Sequence, residues 1–245
     1  MKIAYNGKTF LTDPMLSEKF NIESFAGNSR NPTTDLPLSI EEILQGVDAV
    51  LSSHTHQDHF DSIAMDAIPS DITIFCQPED IQKLTDNNFT SLKPVTKKTS
   101  FNNTTIIRTE GHHGTGEIEK TMGKVSGYVL QAENEPVVYW AGDTIYCDEV
   151  KKVIAEYNPD YIITHSCGAT LDKSGPIIMD AKQTIGVCKN SKNSIVIAVH
   201  MEALDHATVT RNDLQKLADK EGILEERLLI PKDGDILLFD IGSPV

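Results

Sequence analysis

Apolar positions along the chain predict hairpin strands first and strand–helix pairs later. Lys2 to Tyr5 and Thr9 to Thr12 read as two short strands joined by Asn6-Gly7, a strong two-residue hairpin signal. The second strand ends at Asp13-Pro14. Residues 15–38 carry Asn, Pro, Ser and Gly with little periodicity, and a loop of that length is usually functional or disordered. Ser39 to Leu44 predicts a short helix, with Ser39 as N-cap and Glu42 completing a capping box. Val47 to Leu51 is an apolar run suited to a buried strand ending at Ser52 or Ser53.

Further along, residues 72–75 predict a strand and 78–85 a helix opened by Pro78 in its first turn. Strands follow at Thr104 to Thr109, Val125 to Ala132, Val137 to Trp140, Tyr161 to Thr164 and Ser194 to Val199. Arg227 to Ile230 and Asp235 to Phe239 read as closing strands. Helices are expected at Glu149 to Tyr157, Met179 to Cys188 and Asn212 to Lys220. No repeat and no linker divides the chain, so residues 1–245 are expected to form a single domain of sheets covered by helices.

Composition narrows the function classes. A chain of 245 residues with 39% hydrophobic and 24% charged residues can bury a sizeable core. Its net charge of −14 argues against a nucleic-acid partner, which needs a basic face. No run of about 18 apolar residues is present, so no membrane span is expected. Cys76, Cys147, Cys167 and Cys188 are far apart and form no C-x-x-C pair. They read as buried, reduced thiols of a cytoplasmic protein. A homo-oligomer is compatible with all of this.

The chemistry concentrates in Ser53-His54-Thr55-His56-Gln57-Asp58-His59-Phe60-Asp61, directly after the apolar run. In extended chain His54 and His56 project to the same side and can clasp one metal ion. A turn into a helix near Asp58 would swing Asp58 and His59 toward a second ion. Other ligand types stand at the ends of further predicted strands: Asp13, His112-His113, Asp143 and His200. Strand ends along one sheet edge are where α/β folds gather their sites.

The order H-x-H-x-D-H, then His, then Asp, then His resembles the metallo-β-lactamase superfamily. That resemblance covers nearly the whole chain. It implies an α/β fold, the αβ/βα four-layer sandwich, and metal-dependent hydrolysis. It also implies His54, His56 and His113 as ligands of one metal, and Asp58, His59 and His200 as ligands of a second, with His206 an alternative to His200, which directly ends its strand. Asp143 would bridge the two, and Asp13 would buttress the site without ligating. His112 competes with His113, but His113-Gly114-Thr115-Gly116-Glu117 resembles the H-G-x-G-E turn of the ascorbate-6-phosphate lactonase-like subgroup. Arg30-Asn31-Pro32 and His200-Met201-Glu202-Ala203-Leu204-Asp205-His206 are similar to segments of that subgroup too. The resemblance further implies a strand before the first hairpin, where this chain begins inside it.

Two divalent ions are therefore expected, zinc first, with manganese and iron also suited to imidazole and carboxylate ligands. Held roughly 3.5–4 Å apart, they could share a hydroxide for attack on an ester, with Asp58 as base. The expected substrate is a small molecule, a lactone or a phosphorylated sugar derivative. Arg30, the only cation in the loop from Ala26 to Leu38, is expected to grip an anionic substrate. His112 and His206 are further candidates for substrate contact. Two other classes compete: a phosphodiesterase acting on nucleotides or RNA, and a non-hydrolytic metal or redox protein. The glycine-rich turn 111–116 lacks the lysine and the following helix of a phosphate-binding P-loop.

Overall fold

The computed structural model describes residues 1–171 and 175–239. Its first sheet has five strands in the order β1 (Lys2–Tyr5), β2 (Lys8–Thr12), β3 (Ala49–Leu51), β4 (Thr73–Cys76) and β5 (Leu92–Pro94). The second has seven in sequential order: β6 (Lys98–Phe101), β7 (Thr104–Glu110), β8 (Ser126–Gln131), β9 (Val138–Trp140), β10 (Tyr161–His165), β11 (Ile195–Val199) and β12 (Leu228–Leu229). Each sheet starts antiparallel and becomes parallel. In the first, only the β1–β2 hairpin is antiparallel. In the second, β6 to β9 alternate and β9 to β12 run parallel.

Parallel neighbours need crossovers, and helices supply most of them. On the first sheet these are α1 (Ile40–Leu44), α2 (Ser62–Ala67) and, after a 3-10 turn at Pro78–Asp80, α3 (Ile81–Asp86). On the second, α4 (Glu117–Met122) joins β7 to β8. There α5 (Asp148–Tyr157), α6 (Ala181–Asn190) and α7 (Arg211–Lys220) are the parallel crossovers.

Three apolar clusters define four layers. Phe10, Leu51 and Phe75 of the first sheet pack against Ile106, Tyr128 and Trp140 of the second. Outside the first sheet, Val50 and Ile74 meet Ala64 and Leu84 of its helices. Outside the second, Val129, Ile162 and Val196 meet Val150, Ile185 and Leu214. This is the αβ/βα sandwich. Its consequence is positional: β2, β3, β7, β9, β10 and β11 all end within three residues of a side chain of metal-ligating type. Among the described residues, no helix is long and apolar enough to cross a membrane.

Several local expectations change. The helix expected near Asp58 starts at Ser62, because Asp61 caps it by accepting from the Ala64 N–H. Residues 57–60 are left as a turn that aims Asp58 and His59. Residues 235–239 form no strand: Ile236 and Leu238 are 82% and 90% exposed, and alternation without a surface to bury gives no sheet. The edge strands β5 and β6 carry lysines and a proline in place of apolar alternation, as exposed edges do. The glycine turn 111–116 does lead into a helix, the short α4. Three cysteines are buried and unpaired as expected, but Cys147 is only half-buried.

Candidate metal centre

His54, His56 and His113 bring one nitrogen each to a common point. His54 Nε2 lies 3.0 Å from His56 Nδ1. In the metal-free chain the His56 Nδ1–H can donate to the His54 lone pair; a metal ion would take both nitrogens in its place. His113 has its Nδ1–H tied to the Ile177 carbonyl at 2.9 Å, so its Nε2 lone pair faces the group. Ile177 lies 64 positions further on, and nothing in the sequence marks it.

A second group comprises His59, Asp143, His165 and His200. His59 Nε2 is 2.9 Å from Asp143 Oδ2 and 3.3 Å from His200 Nε2. Asp58 Oδ2 stands 3.6 Å from His59 Nε2 and 3.8 Å from His200 Nε2. Asp143 Oδ2 is also 3.5 Å from His113 Nε2, so this carboxylate lies between the two groups. Gly142 makes that position available. Its φ is +66°, and a Cβ there would meet the Ser126 carbonyl at 2.5 Å.

His165 is the last residue of β10. Its tautomer is fixed by a donor that cannot accept. The Trp140 indole N–H donates to His165 Nε2 at 3.0 Å. The ring proton therefore sits on Nδ1 and is donated to Asp143 Oδ1 at 2.5 Å. With both nitrogens engaged, His165 orients Asp143 and offers no lone pair to a metal. Such outer partners fix the direction of a ligating carboxylate.

Asp13 does the same for both groups. Its carboxylate accepts from His59 Nδ1–H at 2.7 Å and from the Ser53 backbone N–H at 2.8 Å. The Ser53 hydroxyl also donates to Asp13, which leaves its oxygen to accept from His54 Nδ1–H at 2.9 Å. One side chain thus turns His59 Nε2 and His54 Nε2 inward. Asp13 holds an unusual left-handed φ of 38° to reach both.

Electrostatics agree with a cation site. Burial, with the charge of His59, pushes His54 well below the usual histidine range. Burial drops His200 to about 3. His59 goes the other way: burial would lower it, but Asp143, Asp58 and Asp13 outweigh burial and raise it well above normal. Asp143 is held well below the carboxylate range, since His59, His200 and the His165 hydrogen bond overcome its burial. A proton on His59 therefore offsets part of the charge of these carboxylates in the metal-free chain. Neutral imidazoles beside ionised carboxylates are the donor set that a divalent ion would take up.

A cavity of about 400 Å³ opens over His56, Asp58 and His113, walled by Phe25, Met122, Leu171, Ile177 and His206. The irregular 15–38 loop reaches it through a carboxylate clamp. Asp205 accepts from the Ser24 hydroxyl, from the N–H groups of Phe25, Ala26, Asn28 and Ser29, and from Asn31 Nδ2. Burial opposes ionisation of Asp205, but the hydrogen bonds from Ser24 and Asn31 hold its pKa far below normal. The clamp seats Phe25 edge-on against His206, ring centres 5.2 Å apart. His206 Nδ1 is buried without a protein hydrogen-bond partner.

Two residues expected at the substrate are turned elsewhere. Arg30 pairs with Glu23 and donates to the Phe20 and Asn21 carbonyls at 2.7 and 3.0 Å, so its fork is already filled. His112 is held by Glu119 and Glu149 and is not among the residues lining the cavity.

A sandwich of two sheets with histidines and carboxylates gathered at one edge defines a class, and the comparisons agree. The chain belongs to the β-lactamase superfamily, whose domain family model matches residues 8–201. More narrowly, it is 35% identical over 243 residues to the UPF0173 protein YddR of Bacillus subtilis, covering 97% of this chain and 95% of YddR. Among solved structures it is similar to a possible metal-dependent hydrolase from Veillonella parvula, with 32% identity, TM-score 0.92, and 96% and 94% of the two chains covered. It is also similar to an isothiocyanate hydrolase from Delia radicum gut bacteria, with 34% identity, TM-score 0.92, and 97% and 95% covered.

The His165 geometry predicts that Trp140→Phe, which keeps an aromatic ring but loses the indole N–H, weakens divalent-metal binding. The expected loss is about 10- to 100-fold, the usual cost of an outer partner, without unfolding. Competition titration against a chromogenic chelator measures it, and an unchanged affinity contradicts the orienting role.

Proposed function

We propose that this protein is a metal-dependent hydrolase that activates water at two divalent ions and attacks a small uncharged electrophile. The observation that carries the reading is the convergence of imidazole nitrogens and carboxylates on the floor of one cavity with largely apolar walls. His54, His56 and His113 would hold one ion; Asp58, His59 and His200 the other; Asp143 stands between. Zinc suits this set, and manganese or iron would also fit. A bound divalent ion lowers the pKa of water to about 7 and so supplies hydroxide at neutral pH.

The chain's own residues supply the rest. Asp58 lines the cavity, and His59 keeps it ionised despite its burial. It is placed to orient the attacking water and take its proton. His206 offers Nδ1 to a heteroatom of the substrate. Phe25, Met122, Leu171 and Ile177 exclude water from an apolar substituent.

Among the described residues, neither Lys nor Arg lines this cavity, and the Arg30 fork is occupied. That favours a neutral lactone or ester over a phosphorylated sugar or a phosphodiester. It also favours a second neutral electrophile, an isothiocyanate, which is the substrate named for one relative of this chain. Water adds to the central carbon of R–N=C=S, the carbon–nitrogen bond breaks, and the nitrogen takes both protons. The products are an amine and carbonyl sulfide.

Metal-reconstituted protein assayed against a neutral isothiocyanate, a neutral lactone and a phosphorylated lactone tests the substrate reading. At least one neutral compound is expected to be turned over, with kcat/KM at least about tenfold above the phosphorylated one, a gap of about 1.4 kcal/mol. Preference for the phosphorylated compound would refute it. Asp58→Ala is expected to lower kcat by about 10²–10⁴-fold with the fold retained, the range for a lost general base. Near-normal turnover in the metal-loaded variant would remove Asp58 from that role.

A further inference from the structure

His112 is the immediate neighbour of His113 but serves a different cluster. Its Nδ1 meets the Glu119 carboxylate of α4. Its Nε2 lies 3.0 Å from Glu149 Oε2, in the first turn of α5. Cys147, the residue capping α5, brings its thiol to the same place. One donor atom each from His112, Cys147 and Glu149 lie within 4.8 Å of one another. All three residues are partly open to solvent.

We propose that His112 Nε2, Cys147 Sγ and Glu149 form a second, peripheral site for a zinc-class divalent cation, with Glu119 as the carboxylate that orients His112. The argument begins with the ring. When Nδ1–H is donated to Glu119, Nε2 carries a lone pair directed at a carboxylate oxygen. Two acceptors 3.0 Å apart need a cation between them. In the metal-free chain a proton serves the His112–Glu149 pair, and the Cys147 thiol lies beside it, 3.7 Å from the Thr144 hydroxyl. A borderline-soft divalent ion would bind all three donors, and imidazole, thiolate and carboxylate are the ligand types it prefers. The Glu119–His112 contact is the carboxylate–histidine arrangement that fixes tautomer and ring direction behind a metal ligand. On binding, the Cys147 thiol gives up its proton to solvent.

The site would matter beyond its own edge. It ties α4, through Glu119 and His112, to the start of α5. The helix α4 also carries Met122, part of the cavity wall. Glycine 114 sits between the two: a Cβ there would meet Ile118 of α4 at 2.9 Å, so this turn and this helix are tightly packed. Occupation of the peripheral site would thus brace one wall of the substrate cavity. None of this depends on which substrate is hydrolysed.

The cobalt ion reports thiolate ligation through a charge-transfer band in the near ultraviolet. Protein with zinc in its central site is titrated with Co²⁺ while that band is followed. The wild type is expected to develop the band and saturate at about one equivalent. Cys147→Ser should lack it, His112→Ala should lose most of it, and Glu119→Gln should bind about 10- to 100-fold more weakly. Absence of the band in the wild type overturns the proposal. So does a band that survives in Cys147→Ser, which would assign it to Cys167, 3.6 Å from His200 Nδ1. Unchanged cobalt affinity in both His112→Ala and Glu119→Gln overturns it equally.

Discussion

The structure depends on the requirement that buried imidazoles point their lone pairs inward. Each ring can do so only if its other nitrogen is held from behind. Asp13 holds His59 directly and His54 through the Ser53 hydroxyl. The Ile177 carbonyl holds His113, and Trp140 holds His165, which in turn holds Asp143. Leaving such groups buried and unpaired would cost on the order of 1–3 kcal/mol each. With the outer nitrogens satisfied, burial keeps His54 and His200 neutral, while the carboxylates around His59 favour its protonated form. A divalent cation is what this set of donors would take up.

The fold makes that convergence achievable. Each sheet ends its parallel strands on the same edge, and the two sheets share an apolar interface through Leu51, Tyr128 and Trp140. The Tyr128 hydroxyl crosses this interface to the Ser52 carbonyl at 2.9 Å, one residue before the histidine-rich turn. Trp140 packs in the same interface while its N–H serves His165, so core packing and site geometry rest on one side chain. A displacement in the sandwich would be felt at the metal centre.

Much of this was legible beforehand, for identifiable reasons. The hairpin at Asn6-Gly7, the Ser39 capping box and the β-branched strands are local signals, and local geometry obeys them. The H-x-H-x-D-H motif is also local, because its ligands come from one turn. His165 has no role legible in the sequence, because a strand-terminal histidine looks the same whether it binds a metal or a carboxylate; only Trp140 decides. The direction of Arg30 is not legible because its partners, Glu23 and two backbone carbonyls, are chosen by the loop's folding and not by its composition. Asp205 lies in a segment noted for its histidines, and its part in seating Phe25 is invisible until the loop returns across more than 170 positions.

The proposed central site makes a stoichiometric claim. Metal content of the saturated Cys147→Ser chain, freed of loosely held ions by gel filtration and measured by elemental analysis, tests it most directly. Removing the peripheral thiol leaves only the central donors to retain metal tightly. The expected result is two divalent ions per chain. Saturation at one ion, or none, contradicts the account.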